Sequence, residues 1–527
     1  MTLLRSNLVV AAGTGLSRIT GLLRVSVFGI VLGQTALADA YTIGNETPNI
    51  VYELLIGGVL SATLVPMFSA FVERDDEESQ NAVITVTLVA LAVLTLIAIL
   101  LAPLIFGIYT VSPADGVDPD QFRQVGTLLT RVFLLQIFFY GVTALANAML
   151  NARRRFFAAA WSPIIPNLII VATLLSLPQP GPGGWELADV LDNQRLRWTL
   201  GFGATAGIAA MAIVLVPAVR TAGVRWRPSL QFRHPAVRRL VALSGWTLGY
   251  VIANQVTVAV VRNLADPGSG DARAYFNAYT LFVLPHGLLA VSITTTFAPE
   301  MARAVARRDR AAFSSQTALG TRLIALLALP AGVLIFVLRR PIIGALLQHG
   351  EFTAANADTA SRALAGFALG LVGFSLYLFV LRGFYAHQDT RTPFVINVVQ
   401  NVLNIVLAVA LVGRYDILGL AAALAISYAV CALWALQVLS YKVPGFPLRA
   451  VLASIGRIVV AAALAGELTW LLAGQIGGTS GAGAWARVIV GGIVGLGAYV
   501  GLLVALRAPE LTALRSRLPG RRATPAA

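Results

Sequence analysis

Apolar runs of about twenty residues recur along this chain, and that is the length a helix needs to cross a bilayer at about 1.5 Å per residue. Such windows fall near residues 7–31, 47–72, 82–108, 126–150, 156–178, 199–219, 238–261, 275–301, 318–338, 359–384, 393–412, 417–440, 450–474 and 484–506. They predict an all-α polytopic membrane protein of about fourteen transmembrane helices. Composition agrees. Charged residues make up 12% of the 527, against about 25% in an ordinary soluble protein. The first run has no small-residue cleavage site behind a short apolar core, so it reads as a retained helix and not a signal peptide.

The net charge of +15 raises nucleic acid as a partner, but no basic face with interleaved aromatics lies outside the runs. The arginines gather instead in alternate loops: Arg153 to Arg155, Arg220 to Arg239, Arg303 to Arg322, and Lys442 with Arg449 and the tail. The intervening loops carry Asp115, Asp118, Asp120, Glu186, Asp189 and Asp192. This bias places both termini in the cytoplasm. Loop 178–198 reads as irregular, 340–352 as a short amphipathic interfacial piece, and the tail 508–527 as too short and polar to fold alone. Cys431, the single cysteine, reads as a core hydrophobe. No Walker sequence, Cys/His ligand spacing or Ser/His/Asp set appears, so no enzyme, cofactor or metal site is expected.

The chain also reads as duplicated. Asp39-Ala40-Tyr41 matches Arg273-Ala274-Tyr275 at an offset of 234, Thr63 to Pro66 matches Thr296 to Pro299 at 233, and Pro163 with Asn167 matches Pro393 with Asn397 at 230. Each copy holds six spans. An even number makes the copies parallel, related by a pseudo-two-fold axis along the membrane normal. The expected organisation is an N-terminal lobe over 1–225, a second six-helix lobe over 226–445, two extra helices over 446–507 and a tail.

Within the first run stand Ser17, Arg18 and Arg24, with Gly13, Gly15 and Gly21 around them. A charge at mid-bilayer costs about 3 kcal/mol on insertion scales, so two arginines there need a water-filled cavity or an exit to the interface. The next run has Glu46, Asn49 and Glu53 on one helix face, with Asp39 just before it. These carboxylates either line a cavity with the arginines or simply neutralise them. Tyr140, Asn147, Asn151 and Asn167 offer further polar groups for a cavity or for interhelical hydrogen bonds. Arg382, His387, Asp389 and Arg391 read as a gate or ion pair, or as a helix-capping loop. Arg457 and Glu467 are about 15 Å apart along one helix and cannot pair.

Several stretches together resemble the MurJ/MviN lipid II flippases of the multidrug/oligosaccharidyl-lipid/polysaccharide exporter superfamily. They are Ser17 to Arg24, Thr47-Pro48-Asn49-Ile50, Ser61 to Pro66, Asn151 with Arg155-Phe156, and Gly383 to Pro393. The resemblance covers about residues 1 to 505. It implies a V-shaped pair of six-helix lobes, a groove for a polyprenyl tail between the last two helices, and a bacterial cytoplasmic membrane location. It implies movement of the undecaprenyl-pyrophosphate-linked peptidoglycan precursor to the outer leaflet, with Arg18 and Arg24 on the pyrophosphate and Ser17 and Asp39 beside them. The chain departs from the family pattern at Val25, at Tyr52 and Gly57, and at Tyr279-Thr280, where the family carries charged residues; two of those are cavity arginines.

The expected substrate-binding set is therefore Ser17, Arg18, Arg24, Asp39, Asn49, Glu53 and Asn167, with Arg382, Asp389 and Arg391 as gate or ion-pair candidates. Lipid II or a related polyprenyl-pyrophosphate glycan is the expected partner, with the membrane and possible contacts to cell-wall synthesis or division proteins. The alternatives are a flippase for another lipid-linked glycan, a non-transporting membrane scaffold, and a drug or cation antiporter.

Overall fold

A computed structural model describes residues 3–54, 64–181 and 184–506; the side chains of residues 3–11, 50–54 and 242–251 lie outside the description. The chain forms two compact units. One runs to Arg273 and takes in His349–Thr353; the other takes Ala274–Gln348 and resumes at Ala354. The first holds α1 (Leu3–Leu32), α2 (Ala36–Leu54), α3 (Val65–Arg74), α4 (Glu77–Leu100), α5 (Ala102–Ile108), α6 (Pro119–Leu134), α7 (Gln136–Ala152), α8 (Phe156–Trp161), α9 (Ile164–Leu175), α10 (Leu187–Asp192), α11 (Gln194–Thr221) and α12 (Pro235–Leu264). Then come α13 (Asp271–Pro285), α14 (Val291–Ala306), α15 (Arg310–Leu346), α16 (Ala354–Ala368), α17 (Leu371–Ala386), α18 (Arg391–Lys442), α19 (Leu448–Ala473) and α20 (Gly481–Ala505).

Ten described helices are long and apolar enough to cross a membrane, or eleven with α16 and α17 counted as one span bent by 46°. The difference from fourteen has local causes. Spans 393–412 and 417–440 are both inside α18, which is interrupted at Asp416 (φ 56°, ψ −137°). Spans 47–72 and 238–261 include residues outside the description. Breaks at Leu101 before Pro103, at Ser162-Pro163 and at a π-turn over His286–Ala290 divide other expected spans into shorter helices without changing that number. The interfacial piece expected at 340–352 is not separate. α15 runs through Pro341 to Leu346, as membrane helices tolerate proline, and Arg340 anchors its end on Asp358 at 2.5 Å and Gln348 at 2.8 Å. The residues after it turn to the first unit, where Glu351 N donates to Ile30 O and Phe352 lies on Gly29.

The duplication is visible in local geometry. Tyr41 meets Phe133 edge-on at 4.9 Å, and Tyr275 meets Phe367 edge-on at 4.8 Å, both members displaced by 234. Asp76 caps α4 by accepting from Ser79 N; Asp309 caps α15 by accepting from Ala312 N, 233 residues on. Left-handed residues follow the same spacing: Asp75 with Arg308, Arg154 with Gln388.

Small residues let the helices of the second unit approach closely. Gly366, Gly370 and Gly373 lie against Ala421, Ala425 and Ala429 of α18, and a Cβ on Gly370 would sit 2.4 Å from that of Ala425. Without water to expel, membrane helices associate through such stripes. Gly370→Val is expected to cost about 1–3 kcal/mol by overpacking, read as a lower unfolding temperature of the purified protein; an unchanged temperature contradicts the close packing.

Candidate functional site

Helix α1 presents its small side to α8 and α9. A Cβ on Gly13 would meet the Trp161 ring at 2.7 Å. One step on, the Asn167 amide donates to Ser17 O at 3.2 Å and to Thr20 Oγ1 at 3.1 Å. Asn167 is thus buried as a bracket between two helices, and the Ser17 carbonyl is its acceptor. Along the same helix Arg18 is exposed, and Ser17 and Arg24 are half-buried.

The carboxylates expected beside these arginines are engaged elsewhere. Asp39 is fully buried near the start of α2. Its carboxylate accepts from the backbone amides of Gly268 and Gly270 at 2.9 Å and of Arg273 at 2.8 Å. Two of those amides belong to a turn with φ of +102° at Gly268 and +93° at Gly270, which favours glycine; a Cβ on Gly270 would also strike Gln34 O at 2.5 Å. The third is in the first turn of α13, where unsatisfied amides favour an anion. Asp39 and Arg273, matched by the repeat, therefore meet.

Glu46 pairs with Arg262 of α12, a residue not singled out by the sequence reading. The Arg262 guanidinium also lies 4.7 Å over the Tyr109 ring, whose hydroxyl donates to Gln255. Arg273 is buried as well. Its guanidinium stacks 3.5 Å over Phe28 and donates to Thr42 Oγ1 at 3.2 Å. Arg24 and Arg18 make no ion pair among the described residues. Asn49 is half-buried on α2, and the side chain of Glu53 lies outside the described residues. Thr280 turns its hydroxyl back to Phe276 O within its own helix. Arg262 stands one residue beyond the run 238–261, so the rule for charges inside a run, which flagged Arg18 and Arg24, passes it by.

At the expected gate, Asp389 pairs with Lys442 at 2.5 Å and accepts from Thr392 N at 3.0 Å and Thr392 Oγ1 at 2.7 Å. Partial burial pushes its carboxyl up, but the Lys442 ammonium and the Thr392 hydrogen bonds outweigh this and hold it at about 2. The loop is thus both a cap for α18 and an ion pair, with Lys442 as the cation. Arg382 and Arg391 are exposed and make no ion pair among the described residues. No group of three or more metal-ligating side chains occurs among the described residues.

Comparison with known proteins gives the same direction throughout. The family model described as lipid II flippase MurJ matches residues 29–486. A Rhizobium meliloti (strain 1021) protein named "Probable lipid II flippase MurJ" is 28% identical over 474 residues, 88% of this chain and 85% of that one. A solved structure titled lipid II flippase MurJ, inward closed conformation, superposes with a TM-score of 0.76 at 20% identity, over 95% of this chain and 99% of that one. An inward-facing multidrug resistance MATE family transporter of the MOP superfamily gives 0.61 at 13% identity, over 81% and 94%. At these identities the two structures show the fold. The family model covers far more than half of the sequence, and so the chain belongs to the lipid II flippase MurJ family.

Proposed function

We propose that this protein moves lipid II, the undecaprenyl-pyrophosphate-linked peptidoglycan precursor, from the inner to the outer leaflet of the bacterial cytoplasmic membrane by alternating access. The observation that carries the reading is the unequal use of charge around α1 and α2. Asp39 is taken by three backbone amides and Glu46 by Arg262. Arg24 is half-buried and has no carboxylate partner among the described residues. A shielded cation without a counter-ion is a costly arrangement, and a pyrophosphate resolves it through charge-assisted hydrogen bonds. Arg18, Ser17 and Asn49 complete the contact set in this reading, with Glu53 bordering it. Asp39 and Asn167 hold the helices that present it. The repeat supports two six-helix lobes, 1–225 and 226–445, rocking about a midplane site. The exposed apolar faces of α19 and α20, with Trp470, Ile489 and Ile493 outward, suit a polyprenyl tail. The arginine-rich loops support cytoplasmic termini. Contacts to cell-wall synthesis or division proteins would use those same loops.

A flippase for another lipid-linked glycan is the second reading. It is favoured by Thr280, whose hydroxyl bonds inside its own helix where the family pattern has a cavity arginine.

In cells depleted of their own flippase, the parent protein is expected to restore transbilayer movement of lipid II and Arg24→Ala to lower it at least about tenfold at equal membrane level, the loss of one charge-assisted contact of ~1.5–3 kcal/mol. No rescue by the parent protein contradicts the substrate and favours the second reading. Asp39→Asn weakens a carboxylate buried against three amides and is expected to cost about 1–3 kcal/mol of stability, read by thermal unfolding, with lipid II affinity of the folded protein unchanged. An affinity loss at unchanged stability would make Asp39 a contact residue instead.

A further inference from the structure

The second unit holds a cavity of about 670 Å³ that the flipping site does not use. One face of α15 forms its floor, with Arg310, Ser314, Ser315 and Arg322 along successive turns; Pro444 and Gly445, between α18 and α19, form a wall. None of the ten lining residues is acidic. The acids nearby in sequence are committed: Asp309 caps α15 through Ala312 N, Glu300 pairs with Arg303 at 2.6 Å, and Asp389 pairs with Lys442. Neither Arg310 nor Arg322 makes an ion pair or hydrogen bond among the described residues. The Nε of Arg322 is shielded from solvent and still lacks a partner. A shielded donor left unpaired in a cavity with two guanidinium groups asks for an acceptor-rich anion.

We propose that this cavity binds the phosphate of an anionic phospholipid headgroup. Phosphate chemistry alone would also suit free inorganic phosphate. The lipid is favoured by position: α15 is an apolar helix long enough to span the membrane, and the cavity lies toward its N-terminal end, which follows Arg303, Arg307 and Arg308, where headgroups sit and basic pockets between membrane helices collect anionic lipid. Arg322, three turns further along α15 than Arg310, lines the same cavity. The hydroxyls of Ser314 and Ser315 supply two more donors. The lining shares no residue with the contact set proposed for lipid II, and the proposal does not rest on that assignment. Its cytoplasmic placement follows the orientation proposed above.

The test is native mass spectrometry of the full-length purified protein with phosphatidylglycerol and phosphatidylcholine of matched acyl chains. Phosphatidylglycerol is expected to be retained in preference. Arg310→Gln is expected to weaken it about fivefold, and Arg310→Gln with Arg322→Gln about thirtyfold, on the scale of basic groups facing anionic lipid. Arg307→Gln, on the exposed loop outside the cavity, is the control and should change little. If the double variant does not stay monodisperse, Arg310→Gln alone and the wild-type preference decide. Equal retention of the two lipids by the wild type overturns the proposal, as does an equal loss in Arg307→Gln. Displacement of phosphatidylglycerol by about 10 mM inorganic phosphate assigns the cavity to free phosphate and overturns the lipid reading.

Discussion

The Asp39 carboxylate, buried against three backbone amides, is the contact on which the first unit's charge arrangement depends. A buried carboxylate normally calls for a cation. Here the turn Gly268–Gly270 and the first turn of α13 satisfy it without one. Arg273, whose amide is one of the three donors, places its guanidinium on Phe28 and Thr42. Glu46 is likewise absorbed by Arg262. The consequence falls on α1, where Arg18 and Arg24 face no competing carboxylate among the described residues. A cavity in which every arginine had its own acid would have little attraction for a pyrophosphate.

The same economy appears in the backbone. α1 carries two arginines on a helix that Gly13 lets approach Trp161 and that Asn167 brackets to α9. The second unit uses the glycine stripe of α16 and α17 against the alanines of α18. Both devices replace hydrophobic driving force, which lipid does not supply, with close contact and internal hydrogen bonds.

Much of this was legible before the structure. Hydropathy finds helices because the bilayer imposes one length on all of them, and the repeat offset read from Tyr41 and Tyr275 recurs in their aromatic partners Phe133 and Phe367. The rule that intramembrane charge marks function found Arg18 and Arg24. What periodicity could not supply was partnership. Glu46 and Arg262 are 216 residues apart in sequence, and Asp389 and Lys442 are 53 apart; only packing brings such pairs together. Helix breaks were missed for a related reason. A window average does not register Pro163, the kink at Asp416, or the continuation of α15 through Pro341, because these depend on which neighbour satisfies the freed backbone groups.

The most direct test is equilibrium binding of a short-chain, water-soluble lipid II to the purified protein, comparing Arg24→Gln with the paired variant Glu46→Gln/Arg262→Gln. The account predicts that Arg24→Gln weakens binding about tenfold or more, while the double variant, which removes a self-neutralised pair, changes it less than about threefold. If the double variant loses binding and Arg24→Gln keeps it, the working cation is Arg262 and the charge arrangement described here is wrong.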